Sequence, residues 1–522
     1  MPMIFVLRSS YLLIFLFIFF SGSKSRKQNE VIKTDAGLIS GIKNESRDVI
    51  AYKGIPYAAA PTGNLRWKAP QPASKWDGIK QCTAFAASAM QAKPVPFMVY
   101  TEEFLAPPEP LSEDCLYLNV WTGTKPSKEK RPVMVWIHGG AFTGGSGSVP
   151  IYDGEAMARK GVVFVTINYR LGIFGFFAHP ELTKESGYNT SGNYGLLDQI
   201  AALKWVQQNI SAFGGDPERV TIAGQSAGSV SVNCLVASPL AKGLFHRAIA
   251  ESGGSFVPGP LRSNTGLKQA EEEGLKIAQS LQAGSLAILR SVSAADMMQK
   301  AQGLRGPIID GYILPESISQ VFDSGKQNQV NLLTGWNADE GFIMGGIKKA
   351  DDFKKQAQQQ YGPDAKTFLE FYPSSTDQEA AASQQAFATD MMFGIQNYTW
   401  ANVQSQSAKT KVYVYYFTRR LPATGDFVKY GAFHTGEVAY AYNNLKFLHR
   451  PWEAVDHKLA GIMSSYWVNF AATGNPNGKG LPVWPQYQSY TNEVMILSEQ
   501  PGAKKLPRKA AMDFLYEKLK AR

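Results

Sequence analysis

Residues 213–230 read FGGDPERVTIAGQSAGSV, and this stretch restricts the fold more than any other in the chain. Arg219 to Ala223 (RVTIA) is β-branched and apolar, which predicts a short buried strand running into Gly224. After Gly228 the run SVSVNCLVASPL can continue as a helix. Ser226 then stands at the apex of a strand-to-helix turn with glycines two residues to either side. The glycines have a steric reason, because a side chain at either position would collide across so sharp a bend. The GxSxG pattern alone is weak evidence, since a glycine-rich chain of this length produces on the order of a third of a match by accident. The strand, turn and helix around it supply the context in which a serine hydroxyl is exposed as a nucleophile.

Further apolar runs at 133–138 (VMVWIH), 161–169 (GVVFVTINY), 330–337 (VNLLTGWN) and 411–417 (KVYVYYF) read as buried strands. Between them NYGLLDQIAALKWVQQNI (193–210) repeats apolar residues at three- and four-residue steps, the mark of an amphipathic helix. Alternating strands and helices predict an α/β fold with a large, mostly parallel sheet covered on both faces. Residues 264–329 and 345–405 are more polar and read as helical excursions that cap the sheet. No linker or fixed-period repeat divides the 522 residues, so one domain over 24–522 is expected.

The N-terminus carries a lone Arg8, an apolar run from Tyr11 to Phe20, and the small residues Ser21, Gly22 and Ser23. Ten apolar residues are too short to span a bilayer. The pattern predicts a secretory signal peptide, residues 1–23, cut near Ser23, with no stable membrane insertion afterwards and a secreted or periplasmic mature chain. Cutting there removes one charged residue, so the net charge of +10 falls to +9. That surplus reads as a solvated face, because no zinc-finger spacing, basic-aromatic interleaving or RNP-like run points to nucleic acid. An exported chain with cysteines at 82, 115 and 234 is expected to form one disulfide. Cys234, in an apolar helical stretch eight residues after Ser226, reads as a buried free thiol, which leaves Cys82 and Cys115 as the pair.

A serine nucleophile needs a base, and acyl transfer needs donors for the oxyanion. At 136–148 a strand end breaks into WIHGGAFTGGSGS, whose glycines free backbone N–H groups to converge; Gly140, Ala141 and Ala227 are the expected oxyanion-hole donors. Of the six histidines, His434 sits late in the chain in a glycine-flanked loop, YGAFHTGEV, which suits the base. His138 reads as a positioning residue and His246 as a buttress. The orienting acid is expected at a strand end between serine and histidine, where TGWNADEGF offers both Asp339 and Glu340. The residues alone leave that choice open. No HExxH, paired-cysteine or strand-to-helix GxGxxG signature occurs, so neither metal nor cofactor is expected.

With YKGIPYAAAPTGNLRW, SEDCLYLNVW, VMVWIHGGAF, NYRLGIFGF, FGGDPERVTIAGQSAG, NADEG, FHTGEV and YWVNFAATGNPN in this order, the chain resembles the type-B carboxylesterases from about Gly37 to Tyr487. That family is a branch of the α/β-hydrolases. The resemblance implies a Ser-His-Glu triad with Glu340 as the acid and an acyl-enzyme route for ester hydrolysis. It also implies the Cys82–Cys115 bridge and structural ion pairs Arg66–Glu113 and Arg170–Asp198. Two departures separate the chain from the cholinesterases of the same family: Gln225 stands where they carry a glutamate before the nucleophile, and residues 83–114 contain no tryptophan. A general esterase is therefore expected, not a choline esterase. Amidase, lactonase and long-chain lipase activities share the same chemistry, and a non-catalytic binding protein on this scaffold is disfavoured because all three triad positions are filled.

Overall fold

Along the central strands, successive side chains enter two different cores. In the strand Arg131–Ile137, Val133, Val135 and Ile137 join one core, while Met134 and Trp136 join the other. The strand Val412–Phe417 divides in the same way, with Val412 and Val414 on one side and Tyr413 and Tyr415 on the other. Because both faces are apolar the strands must be covered twice, which is why they read as unbroken apolar runs and not as an alternation. The computed structural model describes Met1 and residues 30–124, 130–257 and 265–520, apart from 302, 304, 342, 344, 345 and 408. The expected leader, Met1 aside, lies outside the described residues, as does its cut site near Ser23. No helix among the described residues is long and apolar enough to cross a membrane.

Among those residues eleven strands form one sheet. They are β1 (Ile42–Lys43), β2 (Val49–Pro56), β3 (Tyr117–Gly123), β4 (Arg131–Ile137), β5 (Val163–Ile167), β6 (Gly215–Gln225), β7 (Arg247–Glu251), β8 (Asn331–Asn337), β9 (Val412–Phe417), β10 (Glu493–Leu497) and β11 (Gly502–Lys505). Their order across the sheet is β11-β10-β9-β8-β7-β6-β4-β5-β3-β2-β1. The strands from β10 across to β5 are parallel, and the flanking strands are antiparallel. From β4 the chain steps outward to β5 and then returns to the other side of β4 as β6. Strand order reverses there, and open α/β sheets bind ligands at the carboxyl ends of the strands flanking such a reversal.

Helix α1 (Tyr194–Asn209) matches the amphipathic stretch, burying Leu196, Ile200, Leu203 and Val206 in the first core. Helix α2 (Ala227–Ala237) leaves β6 directly. The polar excursions are helical as expected and include α3 (Leu267–Ser280) and α4 (Ile395–Ser405). Helix α5 (Ala454–Thr473) covers the second core with Leu459, Met463, Tyr466, Trp467 and Phe470. Both ion pairs implied by the resemblance are present. Arg170 grips the fully buried Asp198 at 2.8 and 2.7 Å, and Arg66 Nε donates to Glu113 at 2.7 Å.

The expected Cys82–Cys115 bridge is not formed; Cys82 and Cys115 are buried thiols, and Cys234 is buried as well. Backbone pairing closes the loop that the bridge would have closed, since Ser88 and Ala89 run parallel to Leu111 and Ser112. Cys82 is fixed by its N–H on Ser40 O and its carbonyl under Lys53 N–H, both at 2.8 Å. Cys115 faces a small gap beside Arg66, Glu113 and Arg170. Burial pushes both thiols up, Cys82 to about 11, which leaves them protonated and unreactive at neutral pH.

Candidate active site

Ser226 joins β6 to α2 at φ 58°, ψ −123°, a conformation that a non-glycine residue holds only under constraint. Its N–H donates to Glu251 O on β7, and its carbonyl accepts the Val230 N–H, both at 2.9 Å. These bonds pin the strained residue from the strand side and the helix side. The flanking glycines are sterically required. A Cβ at 228 would stand 2.0 Å from Ile137 O, and one at 224 would stand 2.5 Å from the Gly228 carbonyl. Between residues 220 and 238 Ser226 is the one residue that is not buried, so the turn lifts this side chain out of the core.

The glycine loop after β4 lies against this turn. Gly140, Ala141 and Phe142 have φ of 105°, 53° and 60°, which curls the backbone so that successive N–H groups face inward. The curl is held by Thr143 and Gly144 N–H on Gly140 O, each at 3.0 Å, and by Gly172 N–H on Phe142 O at 2.7 Å. Among the described residues the N–H groups of Gly140 and Ala141 have no acceptor, and Ala227 opens α2, where helical N–H groups have no partner within the helix. His138 supports the loop from below, donating from Nδ1 to Gly139 O at 2.8 Å and stacking on Tyr169 at 4.5 Å. Burial pulls its imidazole down to about 4, so it is neutral and structural. His246 braces the opposite end of β6, its N–H bonded to Val220 O at 2.8 Å.

Glu340 follows β8 and is buried; its Oε1 lies 2.9 Å from His434 Nδ1, and its Oε2 accepts the Asn337 N–H at 2.9 Å. Asp339 turns away instead. Its Oδ2 accepts the Ala432 N–H at 2.8 Å and lies 3.7 Å from Arg420. Of the two carboxylates that the sequence offers, one meets the imidazole and the other fastens the loop that carries it. Burial pushes the Glu340 carboxyl up, while the Ser252 hydroxyl and the Asn337 N–H oppose the shift.

Several residues that shape this site had no sequence signal. Phe393 stacks on the His434 ring at 4.1 Å and 18°. Gln225, noted only as a departure, places its Nε2 3.2 Å from His434 Nε2 and 3.3 Å from Nδ1. Near-equal distances to both nitrogens put the amide across the ring instead of along either lone pair, so the imidazole is held between Gln225 and Phe393. Tyr100 donates to His434 O at 2.9 Å, and the Asn337 amide donates to Phe433 O at 2.9 Å. Each of these contacts joins residues remote in sequence, and none follows a spacing rule.

Ser226 opens onto a cavity of about 270 Å³. Ala141 and Ala227 border it beside the serine, Phe142, Phe176 and Phe393 supply aromatic wall, and Glu273 and Arg305 bring one charge of each sign. No cluster of His, Cys, Asp or Glu suited to a metal ion occurs among the described residues.

A serine on a strained strand-to-helix turn, an imidazole held by a buried glutamate and a curled glycine loop at the reversal point of a mixed sheet define an α/β-hydrolase site. The chain belongs to the carboxylesterase family, whose model matches residues 28–515, and it is a carboxylic ester hydrolase. Para-nitrobenzyl esterase of Bacillus subtilis (strain 168) is 37% identical over 90% of this chain and 95% of its own length. Fumonisin B1 esterase of Sphingopyxis macrogoltabida is 36% identical over 90% of this chain and 86% of its own. Among solved structures, a PNB esterase superposes with a TM-score of 0.78 at 34% identity, covering 93% of this chain and all of the other.

Proposed function

We propose that the protein hydrolyses small, uncharged carboxylic esters through a covalent acyl-enzyme. Ser226 attacks the ester carbonyl, and His434 takes its proton and returns it to the leaving alcohol. Glu340 fixes the imidazole tautomer and stabilises its cation. The N–H groups of Gly140, Ala141 and Ala227 receive the oxyanion. The acyl group then leaves to water by the same steps in reverse order of proton transfer. The observation that carries this reading is the Glu340–His434 contact beside the strained Ser226 turn, with the only unburied side chain of that turn facing the cavity.

A cavity of about 270 Å³ suits a compact acyl or alcohol group better than a long chain. The ester specificity printed in the names of both bacterial relatives supports esters over amides and lactones. A panel of short-chain esters, amides and lactones on purified protein tests the reading; turnover of amides or lactones at rates matching the esters would overturn it. We also propose a secreted or periplasmic enzyme of one catalytic domain, on the strength of the apolar run Tyr11–Phe20 and the small residues after it. N-terminal sequencing of the mature protein should start near Lys24, and a start at Met1 would refute export by cleavage.

A further inference from the structure

Behind the triad, on the side of the second core, lie two carboxylates that the hydrolysis steps do not use. Glu251 ends β7; its carbonyl holds the Ser226 N–H, and its Oε1 accepts Tyr442 Oη–H at 2.9 Å and Trp467 Nε1–H at 2.8 Å. Glu437 lies three residues after His434, and its Oε2 accepts the side-chain amide of Asn337. That asparagine also donates to Phe433 O, and its backbone N–H holds Glu340. One asparagine therefore ties Glu437 to both the acid and the loop of the base.

Both glutamates are fully buried, and each keeps a second oxygen without a partner, Oε2 of Glu251 and Oε1 of Glu437. The Tyr415 hydroxyl and Asn337 Oδ1 are likewise unpartnered. Facing the pair are Tyr442, which caps the short helix Val438–Ala441, Trp467 from α5, Tyr415 from β9, Tyr152 from the turn Pro150–Tyr152, and Glu340 and Asn337 at the end of β8. Burial raises all three tyrosine hydroxyls, so they stay neutral. Among the described residues no lysine, arginine or histidine is ion-paired with either glutamate. Burial and the charge of Glu437 disfavour ionisation of Glu251, and burial and the charge of Glu340 disfavour ionisation of Glu437; buried neighbours of this kind without a counter-cation are too costly to ionise together, so Glu251 and Glu437 retain a proton.

We propose that Glu251 and Glu437 hold one proton between them at neutral pH, placing a single fixed negative charge behind the triad, and that they act as positioning residues. Glu251 sets the backbone of the nucleophile, and Glu437 sets the Glu340–His434 contact through Asn337. The idea rests on the triad reading above. The proton is shared and not consumed, so no other reactant is needed.

Glutamine mimics a protonated glutamate, because its NH2 donates where the acid O–H would. Glu251→Gln or Glu437→Gln alone should therefore leave the pair with its one charge, and the acid limb of kcat/KM should stay within about 0.3 pH unit of wild type. The double substitution removes the charge and should move that limb down by about one pH unit, since nothing behind the triad then favours the protonated base. Glu437→Ala should lower kcat more than KM, and Glu437→Gln should restore it, because its amide oxygen still accepts from Asn337.

Difference infrared spectra need no turnover, so they separate this proposal from the esterase reading. At pH 7 each single glutamine variant should lose one protonated-carboxyl band relative to wild type, and the double variant should lose a carboxylate band relative to either single. The same bands followed in wild type alone against pH cover the case in which a variant does not fold. A limb shift already present in each single variant would mean that both groups are ionised. No shift in the double, with two protonated bands in wild type, would mean that both are neutral. Either result overturns the proposal.

Discussion

Glu340→Gln tests which carboxylate serves the imidazole, and its cost can be worked from two hydrogen bonds. Glu340 accepts on both oxygens, from His434 Nδ1 and from Asn337 N–H, each at 2.9 Å. Glutamine has one acceptor and one donor, so it must fail one of them. If its oxygen stays on Asn337, the NH2 faces Nδ1 and enforces the tautomer whose Nε2 already carries a proton and cannot accept the serine's. If it flips, two N–H groups face each other in a buried site, at a cost of about 1 to 3 kcal/mol. Neither arrangement keeps the negative charge that stabilises the imidazolium. At a separation of about 4 Å and an effective dielectric of about 20 that charge contributes roughly 4 kcal/mol. The two terms together predict a fall in kcat of about 10⁴, with KM little changed.

Asp339→Asn is the control. Asparagine keeps an acceptor for Ala432 N–H and loses only the half-exposed 3.7 Å pairing with Arg420, which should leave kcat within about fivefold of wild type. Steady-state kinetics on a short neutral ester, with circular dichroism to check the fold, gives both numbers. The reasoning fails if Asp339→Asn proves the more damaging change, or if Glu340→Gln loses less than about tenfold.

Gly228→Ala should destabilise the protein by about 3 kcal/mol or more, read as a lowered Tm, because its Cβ would stand 2.0 Å from the Ile137 carbonyl at the hinge of the turn. Burial raises the carboxyls of the Glu251–Glu437 pair, so the pair's contribution to stability is complete below the ordinary carboxylate range and is lost as pH rises above it. A Tm profile should show that decline in wild type and a flatter curve in the double glutamine variant. Choline esters should be hydrolysed no more than tenfold better than uncharged isosteres, since Gln225 carries no charge and Trp336 is buried against Tyr416 instead of facing the cavity. Acetylcholine against 3,3-dimethylbutyl acetate, compared by kcat/KM, measures this.

The legible parts of the site were those encoded by local sterics. The glycines at 224 and 228 are demanded by the bend itself, and the runs at 133–138 and 411–417 announce doubly buried strands through composition alone. Strand β7 (RAIAE) escaped notice because it is short, alanine-rich and ends in a glutamate, although that glutamate's carbonyl pins Ser226. Phe393 lies in a helical excursion 167 positions beyond Ser226, and its role arises only when that excursion folds back over His434. Gln225, Asn337 and Glu437 act through contacts across 100 to 209 positions of chain, which no periodicity reveals. The cysteine pairing rested on compartment, elimination and the family resemblance, whereas the structure ties residues 88–89 to 111–112 within that loop by backbone hydrogen bonds.

The central claim is that Ser226 becomes covalently acylated. Incubation with a fluorescent organophosphonate, followed by proteolysis and mass spectrometry, addresses it directly. The account predicts one adduct per chain, on the peptide containing Ser226, with activity lost in proportion to labelling and neither labelling nor turnover in Ser226→Ala. An adduct on another serine, or an active Ser226→Ala protein, would contradict it.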